Sequence, residues 1–401
     1  MSADGSSPRS FPFTPVERLE EEALFTALRE REPICRVRLP YGGPAWLVTR
    51  YDDVRTVLSD PRFSRAATAR PDAPRLQPAP ASEGLLMSLD PPEHTRPRRA
   101  VARAFTVRGA EALRPATEAI AASLLDGMAS AGAPADLVRC FALPLPVRVI
   151  CTLLGVPEAD QPQLLRWSDA LLTTADGGER AVAAATGELT EYLLALVERR
   201  RSEPSDDLLG ELVRGHDAGD GRLREDEMVA LARDLLVAGH ETTAAQIANF
   251  TYVLLHHPGH WDELCAHPKL MASAVEELLR YVPLGSGAFR SRIATEEVEL
   301  CGVRVRPGEA VFAPTVSANR DPRAFEAPAR LDFGRRRNAH LAFGFGPHHC
   351  LGAQLARMEL RVAMSTLLAR FPGLRLAADE AGVEWRTGLQ VRGPRRLPVR
   401  W

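Results

Sequence analysis

The chain has 401 residues, 45% of them hydrophobic and 25% charged, with a formal net charge of −2. That supplies apolar material for a large packed core, and the near-neutral balance leaves no electrostatic footprint for nucleic acid or an anionic membrane. No run of about 18 apolar residues occurs, so no membrane-spanning helix is expected.

Residues 1–15 are polar and rich in serine and proline, without the charged start and apolar core of a secretory signal. They read as a disordered lead-in to a single domain over 16–401, in a protein of the cytoplasm. The six cysteines (Cys35, Cys140, Cys151, Cys265, Cys301 and Cys350) are scattered and form no C-x-x-C pair, which argues against zinc or dithiol chemistry and fits a reducing compartment. Val16 to Arg31 reads as an amphipathic helix. Cys35–Leu39 and Ala45–Thr49, joined by a Pro-Tyr-Gly-Gly-Pro turn, read as a β-hairpin. Asp52 or Asp53 can cap the next helix, which carries Val54, Val57 and Leu58 on one face. Residues 65–84 are rich in Pro and Ala and lack periodicity, and loops of that length within a domain are usually functional or disordered.

The stretch Asp90-Pro-Pro-Glu-His-Thr-Arg-Pro-Arg-Arg99 places His94 and Arg98 four residues apart, on one helix face. Two donors there suit a carboxylate, and the Arg96, Arg98, Arg99 cluster equally fits a solvated basic face. Pro97 is compatible with a first helical turn but not with a helix interior. From Glu111 to Arg201 helical blocks alternate with short breaks, among them Gly155 and Ala175–Glu179.

Arg224 to His257 reads as the longest helix, with Met228, Leu231, Leu235, Ala238 and Thr242 stepping by three and four along one face. Ala238, Gly239 and Thr242 make that face shallow at mid-helix. A glycine and two threonines here cost roughly 1–2 kcal/mol in propensity, so something must compensate. A threonine hydroxyl can bond the carbonyl four residues back and open a polar notch, and close helix packing is the plainer alternative. Further on, Glu277 and Arg280 stand at i and i+3 and can pair, though an exposed pair of this kind contributes little. Segments 297–300, 302–305 and 310–313 read as strands, so the fold expected is mainly α with a smaller β region.

Phe343-Gly-Phe-Gly-Pro-His-His-Cys350-Leu-Gly352 is a glycine-rich turn leading into an amphipathic helix, Ala353 to Arg370. A cysteine where a loop meets a helix start is favoured as a thiolate by unpaired N–H groups and the positive end of the helix dipole. Gly344, Gly346 and Gly352 remove side chains around the sulfur and would let a flat ligand approach.

The spacing of Phe343, Gly346, Cys350 and Gly352 resembles the haem-binding loop of the cytochrome P-450 family, with His348 in a slot the family fills with a basic residue or histidine. Three further stretches agree with that family in order: the His94–Arg98 pair, Glu241-Thr242 in the long helix, and Glu277–Arg280. The resemblance runs from about Phe11 to Trp401 and is to the soluble bacterial, actinobacterial type. It implies a P-450-like haem domain with haem b as cofactor and Cys350 as iron ligand. His94, Arg98, Arg292 and His348 would hold the haem propionates. Phe343, Gly346 and Gly352 would shape the loop, and Ala238 would lie against the ring. Thr242 would organise dioxygen and its waters, and Glu241 would feed protons. These two are one residue apart, hence about 100° apart around the helix. Glu277 and Arg280 would brace the cysteine loop together with Arg330, and His349 would only pack.

The implied activity is a haem-thiolate monooxygenase taking dioxygen and electrons from a separate redox partner, a ferredoxin with its reductase or a flavin reductase, and working as a monomer. Arg335, Arg336 and Arg337 could dock an acidic partner or form a solvated turn. The pocket segments 65–87, 171–182, 282–288 and 389–391, with Leu235 and Ala238, are mostly apolar and suit a hydrophobic small molecule. A secondary-metabolite intermediate such as a polyketide, peptide or terpenoid would fit, to be hydroxylated or epoxidised. A peroxygenase, a ring-coupling oxidase and a catalytically silent partner protein are the alternatives. An acid–alcohol pair argues against the first, and a retained cysteine against the last.

Overall fold

The computed structural model describes residues 8–13, 18–76, 86–172, 179–219, 221, 223–285, 291–377, 382–386 and 391–401. Its helices are α1 (Leu24–Arg31), α2 (Tyr51–Ser59), α3 (Thr95–Val101), α4 (Val107–Ala112), α5 (Arg114–Ala131), α6 (Pro144–Leu154), α7 (Gln161–Leu172), α8 (Glu179–Ser202), α9 (Leu208–Asp217), α10 (Glu225–His256), α11 (Pro258–Ala266), α12 (Met271–Tyr281), α13 (Thr315–Ala318) and α14 (Ala353–Arg370). Strands are β1 (Arg9–Ser10), β2 (Ile34–Arg38), β3 (Pro44–Val48), β4 (Phe63–Ser64), β5 (Ala135–Asp136), β6 (Ser291–Ala294), β7 (Val298–Leu300), β8 (Val303–Val305), β9 (Ala310–Phe312), β10 (Arg375–Leu376), β11 (Glu384–Trp385), β12 (Pro394–Arg396) and β13 (Pro398–Arg400). The mainly helical expectation holds. Contacts gather the chain into two compact units, one of residues 1–91, 279–331 and 336–350, the other of 92–278, 332–335 and 351–401.

The first unit is built on a six-stranded sheet in the order β1-β2-β3-β9-β6-β4. The hairpin β2–β3 is antiparallel, with Ile34 opposite Val48 and Val37 opposite Ala45. Successive strand residues point to opposite faces, and both faces are covered. Trp46, Val48 and Val311 enter one core with Val54, Val57 and Leu58 of α2. Ala45, Leu47, Ala310 and Phe312 enter the other with Phe25 and Leu28 of α1.

Two expectations at the N-terminus are corrected here. Residues 1–7 and 14–17 lie outside the described residues, but Arg9–Ser10 pair in parallel with Val37–Arg38 and Phe11 is buried against Phe25 and Phe312. That part of the lead-in is therefore ordered, because a buried aromatic and a strand edge tie it down. Helix α1 begins only at Leu24, after the acidic run Glu20-Glu21-Glu22. Nor do Asp52 and Asp53 cap α2. Arg50 is the N-cap residue, and the Tyr51 N–H donates to Asp321 Oδ2 at 2.8 Å.

The second unit is helical, with α10 packed against α6, α8 and α14. The long helix is near where the pattern placed it, and the Arg224 N–H donates to Glu227 Oε2 at 2.9 Å, closing its first turn. Gly155 ends α6 in the left-handed region, φ 70°, as a C-terminal glycine does. Among the described residues no helix is long and apolar enough to cross a membrane.

Candidate active site

In the first unit the cysteine loop is held by backbone bonds. The Cys350 N–H donates to Phe343 O at 2.8 Å, Gly344 N–H to Leu341 O at 2.9 Å, and His349 N–H to Gly346 O at 3.0 Å. Gly344 and Gly346 both have positive φ, 78° and 72°. A Cβ on Gly346 would lie 2.5 Å from Leu58 O, so this glycine is required by the backbone at the end of α2 rather than by a ligand. Cys350 itself is exposed. Cys35 and Cys151, by contrast, are buried, and burial pushes their thiols up to about 11 and about 12.

The loop has a traceable brace. The buried Arg280 donates from Nη1 to Asn319 O (3.0 Å) and Pro328 O (2.8 Å), and from Nη2 to Arg330 O (3.1 Å). Asn319 Oδ1 accepts from the Leu341 N–H at 2.7 Å, and Leu341 O holds Gly344. Arg330 thus contributes its carbonyl to this brace.

Besides Arg280, the arginines Arg65 and Arg292 on β6 are nearly inaccessible in this unit, and so is the side chain of His348. Burial lowers the His348 pKa; the Asp90 carboxylate, 3.9 Å away, opposes this, and the nearby Arg292 and Arg65 reinforce it. Asp90 is pulled below the ordinary carboxylate range. Burial would raise it, but the nearby His348 and the bonds from Ser64 and the Arg65 and Ala66 N–H groups prevail.

In the second unit, α10 has an open patch at its centre. Ala238 is exposed and Leu235 and Thr242 are half-buried, although the flanking residues Leu231, Leu236, His240, Glu241 and Thr243 are buried. Thr242 Oγ1 donates to Ala238 O at 3.3 Å, the back-bond expected of a mid-helix threonine. A Cβ on Gly239 would come within 2.8 Å of Ile150, so that glycine lets α6 close on the adjacent face. Glu241 is buried and ion-paired with Arg386, a partner that no periodicity announced.

His94 is the buried N-cap residue of α3, Arg98 is half-buried, and Pro97 falls in the first turn. Arg96 turns away to Glu227, with Nη1 on Oε2 at 2.7 Å. The partner of Glu277 in this unit is Arg335, Nε to Oε2 at 3.0 Å, and the second carboxylate oxygen accepts from the Asp332 N–H at 3.0 Å. Both side chains are buried, at 7% and 1% exposure, which corrects one expectation. Arg335 is a partner of this glutamate and is not free to dock another protein, whereas Arg336 and Arg337 are exposed. Gly352 is the N-cap of α14, with no atom within 4 Å of an added Cβ. The expected pocket segments fall partly on 77–85, 173–178, 286–290 and 387–390, outside the described residues.

A profile of the cytochrome P-450 family matches residues 147–374. The chain is 50% identical over 396 residues, 99% of each sequence, to the mycinamicin IV hydroxylase/epoxidase of Micromonospora griseorubida. The chain belongs to the cytochrome P-450 family. It is also 51% identical over 394 residues, 98% of each sequence, to the nocardicin C N-oxygenase of Nocardia uniformis subsp. tsuyamanensis. Among solved structures it superposes on the LnmA cytochrome P-450 hydroxylase of the leinamycin pathway of Streptomyces atroolivaceus, with TM-score 0.91, 52% identity and coverage of 98% of this chain and 100% of that one.

As a cytochrome P-450 the protein is a haem-thiolate monooxygenase using haem b, dioxygen, an organic substrate and electrons from a redox partner. The residues present fit that cofactor. Among the described residues no cluster of three or more His, Cys, Asp or Glu could hold a metal ion. The exposed Cys350 can offer one donor to an iron whose other donors come with it, as a macrocycle's do. The buried guanidinium groups of Arg65 and Arg292, with the His348 imidazole, are donors of the kind that suits carboxylates such as propionates.

Proposed function

We propose that Cys350 is the thiolate ligand of the haem, with Phe343, Gly346 and Gly352 fixing the loop that presents it. The observation that carries this reading is the loop itself. Three backbone hydrogen bonds and the Arg280–Asn319–Leu341 brace hold an exposed thiol on a rigid turn, while two other cysteines are buried with pKa values pushed far up. His94, Arg98, Arg292 and His348 are assigned to the propionates, and Ala238 to the ring face. The haem, when bound, supplies the redox chemistry that activates dioxygen.

On α10, the Thr242 hydroxyl is the hydrogen-bond donor and acceptor that orders water at the reacting side, and Glu241 is the carboxyl from which a proton reaches that water. Arg386 keeps the Glu241 carboxylate fixed between transfers, so a proton moves through Glu241 only when this pair loosens. An alcohol neighbouring an acid supports dioxygen as oxidant over hydrogen peroxide, which already carries both protons.

The substrate on this reading is a hydrophobic biosynthetic intermediate, hydroxylated or epoxidised. The names of the relatives (mycinamicin IV, nocardicin C, the leinamycin pathway) support that class, and the exposed Ala238 and half-buried Leu235 support an apolar contact surface. The electron donor is a ferredoxin with its reductase, the 16–401 chain works as one haem domain, and the protein is a cytoplasmic monomer with its cysteines reduced. Reconstitution with ferredoxin and reductase under isotopically labelled dioxygen tests the reading. One labelled oxygen in the product, with Thr242→Ala diverting oxygen uptake away from product, is the expected result. Turnover that proceeds only with added peroxide and ignores Thr242→Ala would overturn it.

A further inference from the structure

Asp234 lies on α10, one turn before Ala238 and two before Thr242. At about 100° per residue, Asp234 stands about 40° from Ala238 and about 80° from Thr242 around the helix, while Arg233 points to the opposite side from Thr242. The flank beyond Thr242 in the other direction is closed by Gly239 against Ile150 of α6. The open patch therefore extends from Thr242 through Ala238 towards Asp234.

The state of this carboxyl is unusual. Its surroundings are dense enough for desolvation to push its pKa up to about 7, against an ordinary 3.8, with Arg233 only partly opposing. Yet 21% of the side-chain surface stays accessible. A carboxyl on the outer surface would not be desolvated, and one in a packed core would not be accessible. Both hold for a half-buried carboxyl on the flank of the open patch. Among the described residues its ionic neighbour is Arg233, which approaches only to 3.8 Å, beyond hydrogen-bond range, and Asp234 accepts no hydrogen bond from them. A half-buried acid left in this condition is destabilising by itself, so a leucine or alanine would serve the fold better. What the position gains is a charge available to a ligand on an otherwise apolar face.

We propose that Asp234 is a specificity-determining residue that pairs with a cationic nitrogen, a protonated amine or guanidinium, carried by an otherwise apolar substrate. The proposal rests on the monooxygenase reading above, and it narrows the substrate class. Eight residues of helix rise about 12 Å, so the cation and the oxidised carbon of the substrate lie within about that distance of each other. Leu235 and Ala238 contact the apolar part between them. A neutral hydrocarbon would bind without using Asp234 and would leave the carboxyl uncompensated.

The test uses the haem-loaded enzyme and two ligands of equal shape, decylguanidinium and decylurea. The guanidinium cation cannot ligate iron, since its nitrogen lone pairs are delocalised, and urea is its neutral counterpart. Affinities are read by equilibrium dialysis and by the shift of the Soret band. The wild type should prefer decylguanidinium by about tenfold, the scale of one charge-assisted hydrogen bond. Asp234→Asn should bring the ratio close to one with decylurea affinity unchanged, and Asp234→Glu should keep part of the preference. Equal affinities in the wild type, no binding of either ligand, or a preference that survives in Asp234→Asn would overturn the proposal. The carbon-monoxide difference spectrum of each variant separates the two levels. A retained thiolate-type band means that any failure belongs to the Asp234 proposal alone, and its loss in the wild type means the haem-thiolate reading has failed first.

Discussion

Gly346→Ala is the sharpest perturbation of the cysteine loop. At φ 72° the glycine occupies the left-handed region, and an added Cβ would lie 2.5 Å from Leu58 O and 2.8 Å from the Ser59 Cα, both backbone atoms of α2 that no rotamer change can clear. The left-handed conformation costs an L-residue about 1–2 kcal/mol, and forcing two backbone segments apart adds about 1–3 kcal/mol, so the expected loss is about 2–5 kcal/mol. Gly352→Ala is the control. Gly352 has φ −80°, and its Cβ would meet nothing within 4 Å. Its effect on protein stability should stay within about 0.5 kcal/mol, while haem retention should fall if a flat ring approaches that face. Denaturant unfolding followed by circular dichroism gives stability, and the Soret absorbance per protein gives haem retention. Equal stability of Gly346→Ala and wild type, or a stability loss in Gly352→Ala as large as in Gly346→Ala, would refute the packing argument.

Arg335→Ala removes a guanidinium partner of the buried Glu277 carboxylate and should destabilise by about 3–5 kcal/mol in thermal or denaturant unfolding, whereas Arg336→Ala should change stability by less than about 0.5 kcal/mol. Asp234 binds its proton more tightly folded than unfolded. Its stabilising contribution is therefore complete below the ordinary value of 3.8 and is lost as pH rises towards about 7. The stability difference between Asp234→Asn and wild type should grow in favour of the variant across that window, and a difference independent of pH would contradict it. Thr242→Ala should lower product formed per dioxygen consumed while oxygen uptake continues, with a rate effect on the order of 10²-fold, and unchanged coupling would remove Thr242 from proton delivery.

Much of this was legible in the sequence because the signals were local. The hairpin β2–β3 follows from alternation across a Gly-Gly turn, α10 from a 32-residue period bounded by an acidic start and His-Pro-Gly, and the cysteine loop from glycines at fixed spacing. Partners far apart in the chain were not legible. Arg335 lies 58 residues from Glu277 in an irregular stretch, and only the folded course of the chain brings the two together. Arg386 lies beside a short two-residue strand, with nothing local to mark it as the partner of Glu241. Asp234 could have been found: an acid one turn from the open alanine of a buried helix breaks the apolar pattern, and counting 100° steps puts it on the flank of that face. Phe11 was misjudged because the serines and prolines around it mark disorder on average, while one aromatic with a cavity to fill decides otherwise.

The central claim is thiolate ligation of haem iron by Cys350, and the carbon-monoxide difference spectrum of the dithionite-reduced protein tests it most directly. A strongly red-shifted, thiolate-type Soret band in the wild type, lost in Cys350→His, is the predicted result. A histidine- or thiol-type band in the wild type, or a thiolate-type band that persists in Cys350→His, would contradict it.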